Sequence, residues 1–179
     1  DMLIALNDAQ QAYEVLERAL KLDNRNARLW AKLGQVSRRL ERSADAVRAY
    51  THAVELDPDY AWAWNGRGLT LSSLDRHDEA LDCFRRASEI DPQDIWYWYN
   101  QGDSLVSLGH FRAASEVLER ATRLDPNHSE SWAKLGQAYR RLDRDAEALA
   151  AYDHALALNP QYAWAWNGRG LVLASLDRH

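Results

Sequence analysis

The chain of 179 residues has a single cysteine, Cys83. A lone thiol excludes a disulfide framework and any zinc site built on cysteines, and it agrees with a reducing compartment. Basic charge is also scarce: 22 Lys plus Arg stand against 27 Asp plus Glu, for a formal net charge of -5. Bulk electrostatics therefore give no hold on nucleic acid. No apolar run approaches the roughly 20 residues of a membrane span, and the N-terminus lacks the basic-then-apolar layout of a secretory signal. These absences lead to the expectation of a soluble, cytoplasmic protein that engages neither membrane nor nucleic acid. Disorder is excluded from the other side, because 46% of the residues are hydrophobic, enough to bury a core.

Catalytic signatures are missing as well. There is no HExxH, phosphate loop, GxSxG or CxxC. The string Gly66-Arg67-Gly68 lacks a third glycine and a preceding strand, so close helix packing explains it better than a nucleotide. No two histidines are three or four residues apart, which removes a helical metal pair. The six histidines, among them the paired copies His52 and His154 and His77 and His179, with His110 and His128, read as solvated helix-surface residues. The acidic runs Asp75 to Glu79 and Asp143 to Glu147 read as charges favoured at helix N-termini, without the alternating ligands and central glycine of a calcium loop. The expectation is a protein that is not an enzyme and holds no cofactor or metal.

What the sequence does contain is a period. The only prolines are Pro58, Pro92, Pro126 and Pro160, each 34 residues after the last. Trp30, Trp64, Trp98, Trp132 and Trp166 keep the same step, as do Gly34, Gly68, Gly102, Gly136 and Gly170. Numbering each unit from Ala27, Ala61, Ile95, Ser129 and Ala163 puts Trp at place 4, Gly at place 8, Ala at places 20 and 27, and Pro at place 32. Trp30, Leu33, Ser37 and Leu40, and again Trp132, Leu135, Tyr139 and Leu142, have helical spacing. A second helix runs through Ala46, Ala49, Tyr50, Ala53, Val54 and Leu56 and must stop before Pro58. Small residues at places 8, 20 and 27 let the two helices approach, beside Trp at place 4 and Tyr50, Phe84, Leu118 or Tyr152 at place 24. Place 7 varies: Leu33 and Leu135 give way to Arg67, Gln101 and Arg169, and a half-buried arginine there requires a carboxylate or carbonyl partner.

This pattern, W-x2-L-G-x2-Y, then A-x3-F, then P, resembles the tetratricopeptide repeat (TPR) family across essentially the whole chain. The resemblance implies an all-α fold, a right-handed α-solenoid of helix-turn-helix repeats. The expected division is a partial repeat over 1–26, repeats over 27–60, 61–94, 95–128 and 129–162, and the first helix of a further repeat over 163–179. Residues 1–26 read as a second helix, Asp8 to Leu22, after the tail of a first helix at Leu3 and Leu6. Starting and stopping in mid-repeat suggests a piece of a longer array. Residues 27–77 and 129–179 are identical at 34 of 51 places, which points to duplication of a three-repeat block or to deliberate construction.

The resemblance also implies a concave groove lined by the first helices, at places 2, 5, 6, 9, 12 and 13. The groove candidates are Arg28, Lys32, Gln35, Arg38, Arg39, Trp62, Asn65, Trp96, Tyr99, Asn100, Asp103, Lys134, Arg141, Trp164 and Asn167. The three tryptophans outside place 4 all fall at place 2. Either they anchor a partner or each leans onto its neighbouring unit. The basic residues would steer a carboxylate-bearing segment, and the asparagines would hold its backbone. The Lys and Asn pair with which some TPR proteins grip a C-terminal carboxylate is absent, since place 5 is Ala31, Asn65, Tyr99, Ala133 and Asn167. The functional expectation is thus a non-catalytic protein-interaction scaffold that takes a peptide segment of acidic and apolar character. Two alternatives stand beside it: homo-association through incomplete terminal repeats stacked head to tail, and a docking arm of a larger enzyme or sensor.

Overall fold

The computed structural model describes the backbone of residues 2–177 and the side chains of residues 8–177. The readings placed on Leu3, Leu6 and His179 lie outside these side chains. The described chain is helical throughout: α1 (Met2–Leu22), α2 (Ala27–Arg39), α3 (Ser43–Leu56), α4 (Ala61–Ser72), α5 (His77–Ile90), α6 (Ile95–Ser107), α7 (Phe111–Leu124), α8 (Ser129–Arg140), α9 (Asp145–Leu158) and α10 (Ala163–Leu176). It forms two compact units, residues 1–92 and 93–179. In the first, α2 pairs with α3 and α4 with α5, while α1 packs on α2 and α3 on α4; α2 and α4 lie side by side. In the second, α6 pairs with α7 and α8 with α9, α7 packs on α8 and α9 on α10, and α8 touches both α6 and α10. The fold is an all-α solenoid of helical hairpins. One difference from the sequence reading falls in α1, which runs from Met2 to Leu22 without a turn before Asp8. Nothing between Leu3 and Ala12 breaks a helix, and propensity alone carries it through.

The hairpin turn has the same form in all four hairpins. The residue at place 15 takes a left-handed backbone, Glu41 at φ 59°, Asp75 at 58°, Gly109 at 78° and Asp143 at 57°. The next N–H then reaches back to the carbonyl of place 11, as Arg42 does to Ser37 at 2.9 Å and His110 to Leu105 at 2.8 Å, closing the helix end. The second helices α3, α7 and α9 end at Asp57, Asp125 and Asn159, whose backbone is extended ahead of proline. Their side-chain oxygens accept the N–H two residues on, at 3.2, 2.9 and 3.2 Å, an Asx turn that aims the chain into the next first helix.

Place 4 locks that linker. The indole N–H of Trp30 donates to the Asn24 carbonyl at 2.8 Å, and those of Trp64, Trp132 and Trp166 donate to the carbonyls of Pro58, Pro126 and Pro160 at 2.9 Å. Proline at place 32 therefore stops one helix and supplies the acceptor for the next. The core between paired helices is built on the contact of place 8 with place 24. A Cβ on Gly68 would stand 2.6 Å from the Phe84 ring, and one on Gly102 would stand 2.5 Å from Leu118.

The arginines at place 7 divide. Arg169 finds its carboxylate, with Nε 2.6 Å from Asp153. Arg67 sits with its guanidinium 5.8 Å from the Trp64 ring centroid, and its buried Nε has no acceptor. The expected partner is missing at that atom because the arginine turns its charge toward Trp64 and its positive field toward Glu79.

Candidate functional site: the faces of the first helices

In unit 1 the candidate residues come from α2 and α4. Lys32, on an exposed turn of α2, places Nζ 4.9 Å from the Trp62 ring centroid and 3.4 Å from Gln35 Oε1. Trp62 is half-buried, stacked on Tyr60 at 5.9 Å and edge-on to Tyr50 at 6.2 Å. Burial raises the Tyr60 phenol pKa, and the nearby Arg28 cation opposes that rise. Arg38 stands beside the Tyr50 hydroxyl, which burial pushes up to about 12. Arg28 and Arg39 are exposed and Asn65 is half-buried. Arg28, Lys32, Tyr60 and Trp62 thus form one cluster, with Arg38 near its base.

The same constellation recurs in unit 2. Trp164 stacks on Tyr162 at 6.0 Å, meets Tyr152 edge-on at 6.4 Å, and carries Lys134 Nζ 5.1 Å from its centroid. Here Lys134 is also held by Asp103 of α6 at 2.5 Å. Of the place-2 tryptophans, Trp96 and Trp164 are 52% and 37% exposed. Each of these two rings leans on a neighbouring ring and keeps open surface.

Beside Trp96 the structure assembles three rings. Trp96, Tyr99 and His128 meet edge to face, with centroids 4.9 to 6.2 Å apart. His128 caps α8: its Nδ1 accepts the Ser131 N–H at 3.2 Å, so the neutral ring carries its proton on Nε2, which faces Glu130 at 3.5 Å. The Tyr99 pKa is raised, chiefly by burial and then by the negative charge of Asp103. Arg141 lies elsewhere, its guanidinium 4.4 Å from the Phe111 ring centroid of α7. Asn100 is half-buried and Asn167 exposed.

Sequence reasoning missed Tyr60, Tyr162 and His128, which all hold place 34. The available signal was Tyr60 two residues before Trp62 and Tyr162 two residues before Trp164; His128 precedes Glu130 instead and carried no such mark. The solvated-histidine reading fails for His128, whose side chain is 10% exposed because it caps a helix under Trp96. His52 and His154 are exposed but lie 4.7 and 4.3 Å from the rings of Trp30 and Trp132. Among the described residues no group of His, Cys, Asp and Glu is placed to hold a metal, and no helix is long and apolar enough to cross a membrane.

Hairpins of this form, repeated every 34 residues with stacked first helices, define the tetratricopeptide repeat class. Family models described as tetratricopeptide repeat match residues 27–60, 61–94 and 99–163, and the chain belongs to that family. No curated protein sequence matches it. Among solved structures it is similar to YrrB, described as a TPR protein with an unusual peptide-binding site, with TM-score 0.81, 24% identity, and coverage of 92% of this chain and 85% of that one. It is also similar to MamA, with TM-score 0.82, 24% identity, and coverage of 88% and 92%. MamA from Desulfovibrio magneticus RS-1 gives TM-score 0.80, 20% identity and coverage of 86% of each chain.

Proposed function

We propose that the chain is a non-catalytic protein-interaction scaffold whose first-helix faces bind a peptide segment of acidic and apolar character. The observation that carries this reading is the cluster of Lys32 over Trp62, backed by Tyr60 and Tyr50. Aromatic surface and positive charge are presented together on rigid helices, at little entropic cost on binding. On the unit 1 face Arg28, Lys32, Arg38 and Arg39 steer, Trp62 anchors, and Gln35 and Asn65 hold backbone. On the unit 2 faces Trp96, Tyr99 and Trp164 offer aromatic surface and Asn100 and Asn167 offer amides, while Lys134 is held by Asp103 and Arg141 lies apart on Phe111. The peptide-binding site named for YrrB is in keeping with this reading.

The test is selection of peptides on the full chain, followed by titration against Trp62→Ala, Trp96→Ala and Trp164→Ala. An anchoring tryptophan costs about 2 kcal/mol or more when truncated. Losses within about 0.5 kcal/mol for all three would reject the assignment.

A second reading, head-to-tail self-association, is favoured by α10. A Cβ on Gly170 would meet nothing within 4 Å, and Trp166, Leu171 and Leu173 are 52%, 48% and 39% exposed, so place 8 there lacks the cover it has elsewhere. Light scattering that stays monomeric up to high concentration would remove it.

A further inference from the structure

The duplicated segments supply an internal control. The unit 1 cluster is Arg28, Lys32, Tyr60 and Trp62, and its copy 102 residues on is Glu130, Lys134, Tyr162 and Trp164. Three of the four side chains are the same and sit in matching geometry. The lysine-to-indole distances are 4.9 and 5.1 Å, and the tyrosine-to-tryptophan stacks are 5.9 and 6.0 Å at interplanar angles of 28° and 29°. The fourth side chain reverses charge. Its effect reaches the matched phenols, since Arg28 lowers the Tyr60 pKa against burial whereas Glu130 adds to the rise at Tyr162.

The lysines differ too. Lys134 is paired with Asp103, whereas Lys32 bonds only Gln35 and has no carboxylate among the described residues. Asp1, at the sequence place matching Asp103, lies outside them. Arg28 likewise has no carboxylate partner among the described residues; Arg38 and Arg39 have none either, but neither do their copies Arg140 and Arg141, so the difference lies at Arg28 and Lys32. Among the described residues the α2 and α4 face therefore presents a tryptophan beside two cations, Arg28 and Lys32, that have no carboxylate partner. Its copy presents the same tryptophan between a carboxylate and a neutralised lysine.

We infer that the two copies are not equivalent binding sites. An acidic segment of a partner protein seats on the α2 and α4 face, its apolar side chain against Trp62 and its carboxylates on Arg28 and Lys32. The α8 and α10 face refuses it, and the residue that decides is Arg28 in one copy and Glu130 in the other. The physical ground is that like charge brought against an incoming carboxylate discriminates more strongly than a rim cation attracts it. This rests on the first-helix faces being the binding surface.

The experiment uses the full chain and a dye-labelled short peptide of alternating Glu and Leu, with a Lys and Leu peptide as control, read by fluorescence anisotropy and by calorimetric stoichiometry. The parent chain is expected to take one acidic peptide. Arg28→Glu is expected to weaken it by about tenfold at low salt, less at high salt. Glu130→Arg combined with Asp103→Asn is expected to raise the stoichiometry to two. If the acidic peptide binds and Arg28→Glu leaves affinity unchanged, or the parent chain already takes two, the inequivalence is overturned while the binding surface stands. If the double variant still takes one, the assignment of the discriminating residue is overturned. If the parent binds neither peptide, both the inference and the reading beneath it fall. Circular dichroism of each variant separates loss of binding from loss of fold.

Discussion

The ring of Tyr50 lies so close to Gly66 that a Cβ built there would stand 2.4 Å from ring carbons. Tyr50 belongs to α3 and Gly66 to α4, so this contact sets how closely successive hairpins stack. Trp62, on the same helix, closes over the edge of the same ring.

Gly66→Ala should therefore overpack the interface and cost roughly 1 to 3 kcal/mol, visible as a lower urea midpoint. Gly170→Ala is the contrasting case. With no atom within 4 Å of its Cβ, it should be neutral or gain up to about 1 kcal/mol from helix propensity. Equal losses at the two positions would contradict the close-contact account.

Three hairpin turns hold a non-glycine residue in the left-handed region, at Glu41, Asp75 and Asp143, while the fourth uses Gly109. A Cβ is disfavoured there by about 1 kcal/mol. Glu41→Gly, Asp75→Gly and Asp143→Gly should each raise stability by a few tenths to about 1 kcal/mol, the unfolded-chain entropy of glycine offsetting part of the gain. Thermal melts of the single and triple variants check it.

The Tyr50 hydroxyl titrates at about 12 against a usual value of 10.0, chiefly because burial penalises its phenolate. The unfolded chain loses that proton first, so the contribution is fully present below pH 10 and is lost as pH rises through 12. Stability should fall by about 2 kcal/mol over that window, to within an order of magnitude. Tyr50→Phe should flatten the decline when urea unfolding is repeated at several alkaline pH values.

Cys83 is 3% exposed, and burial pushes its thiol up to about 11. Thiolate is the reactive form, so an aromatic disulfide reagent at pH 8 should label the native chain far more slowly than the urea-unfolded chain. Comparable rates would show that the α4 and α5 hairpin opens readily.

Much of the architecture was legible along the chain. Proline at place 32 cannot continue a helix, tryptophan at place 4 cannot leave its N–H unmet, and glycine at place 8 admits the ring at place 24. Each of those constraints acts within one hairpin or across one linker, and a 34-residue period repeats it. Non-glycine left-handed turns such as Glu41 carry no comparable mark, because the acid at that place resembles any solvated charge.

The site is legible only in part, and for a physical reason. Periodicity shows only that Lys32 and Lys134, and Trp62 and Trp164, hold equivalent places; it was the resemblance to tetratricopeptide repeats that implied these places share one face. Which of them touch depends on how adjacent first helices approach and on where the preceding linker delivers its last residue. That packing brought Tyr60 against Trp62, set Lys134 on Asp103, half-buried His128 against Trp96 and Tyr99, and turned Arg141 onto Phe111. Sequence alone determined the hairpins and their order; contact across helices, a balance of short-range packing and charge between residues far apart in the chain, decided which cations are paired with a carboxylate or a ring and which, among the described residues, are not.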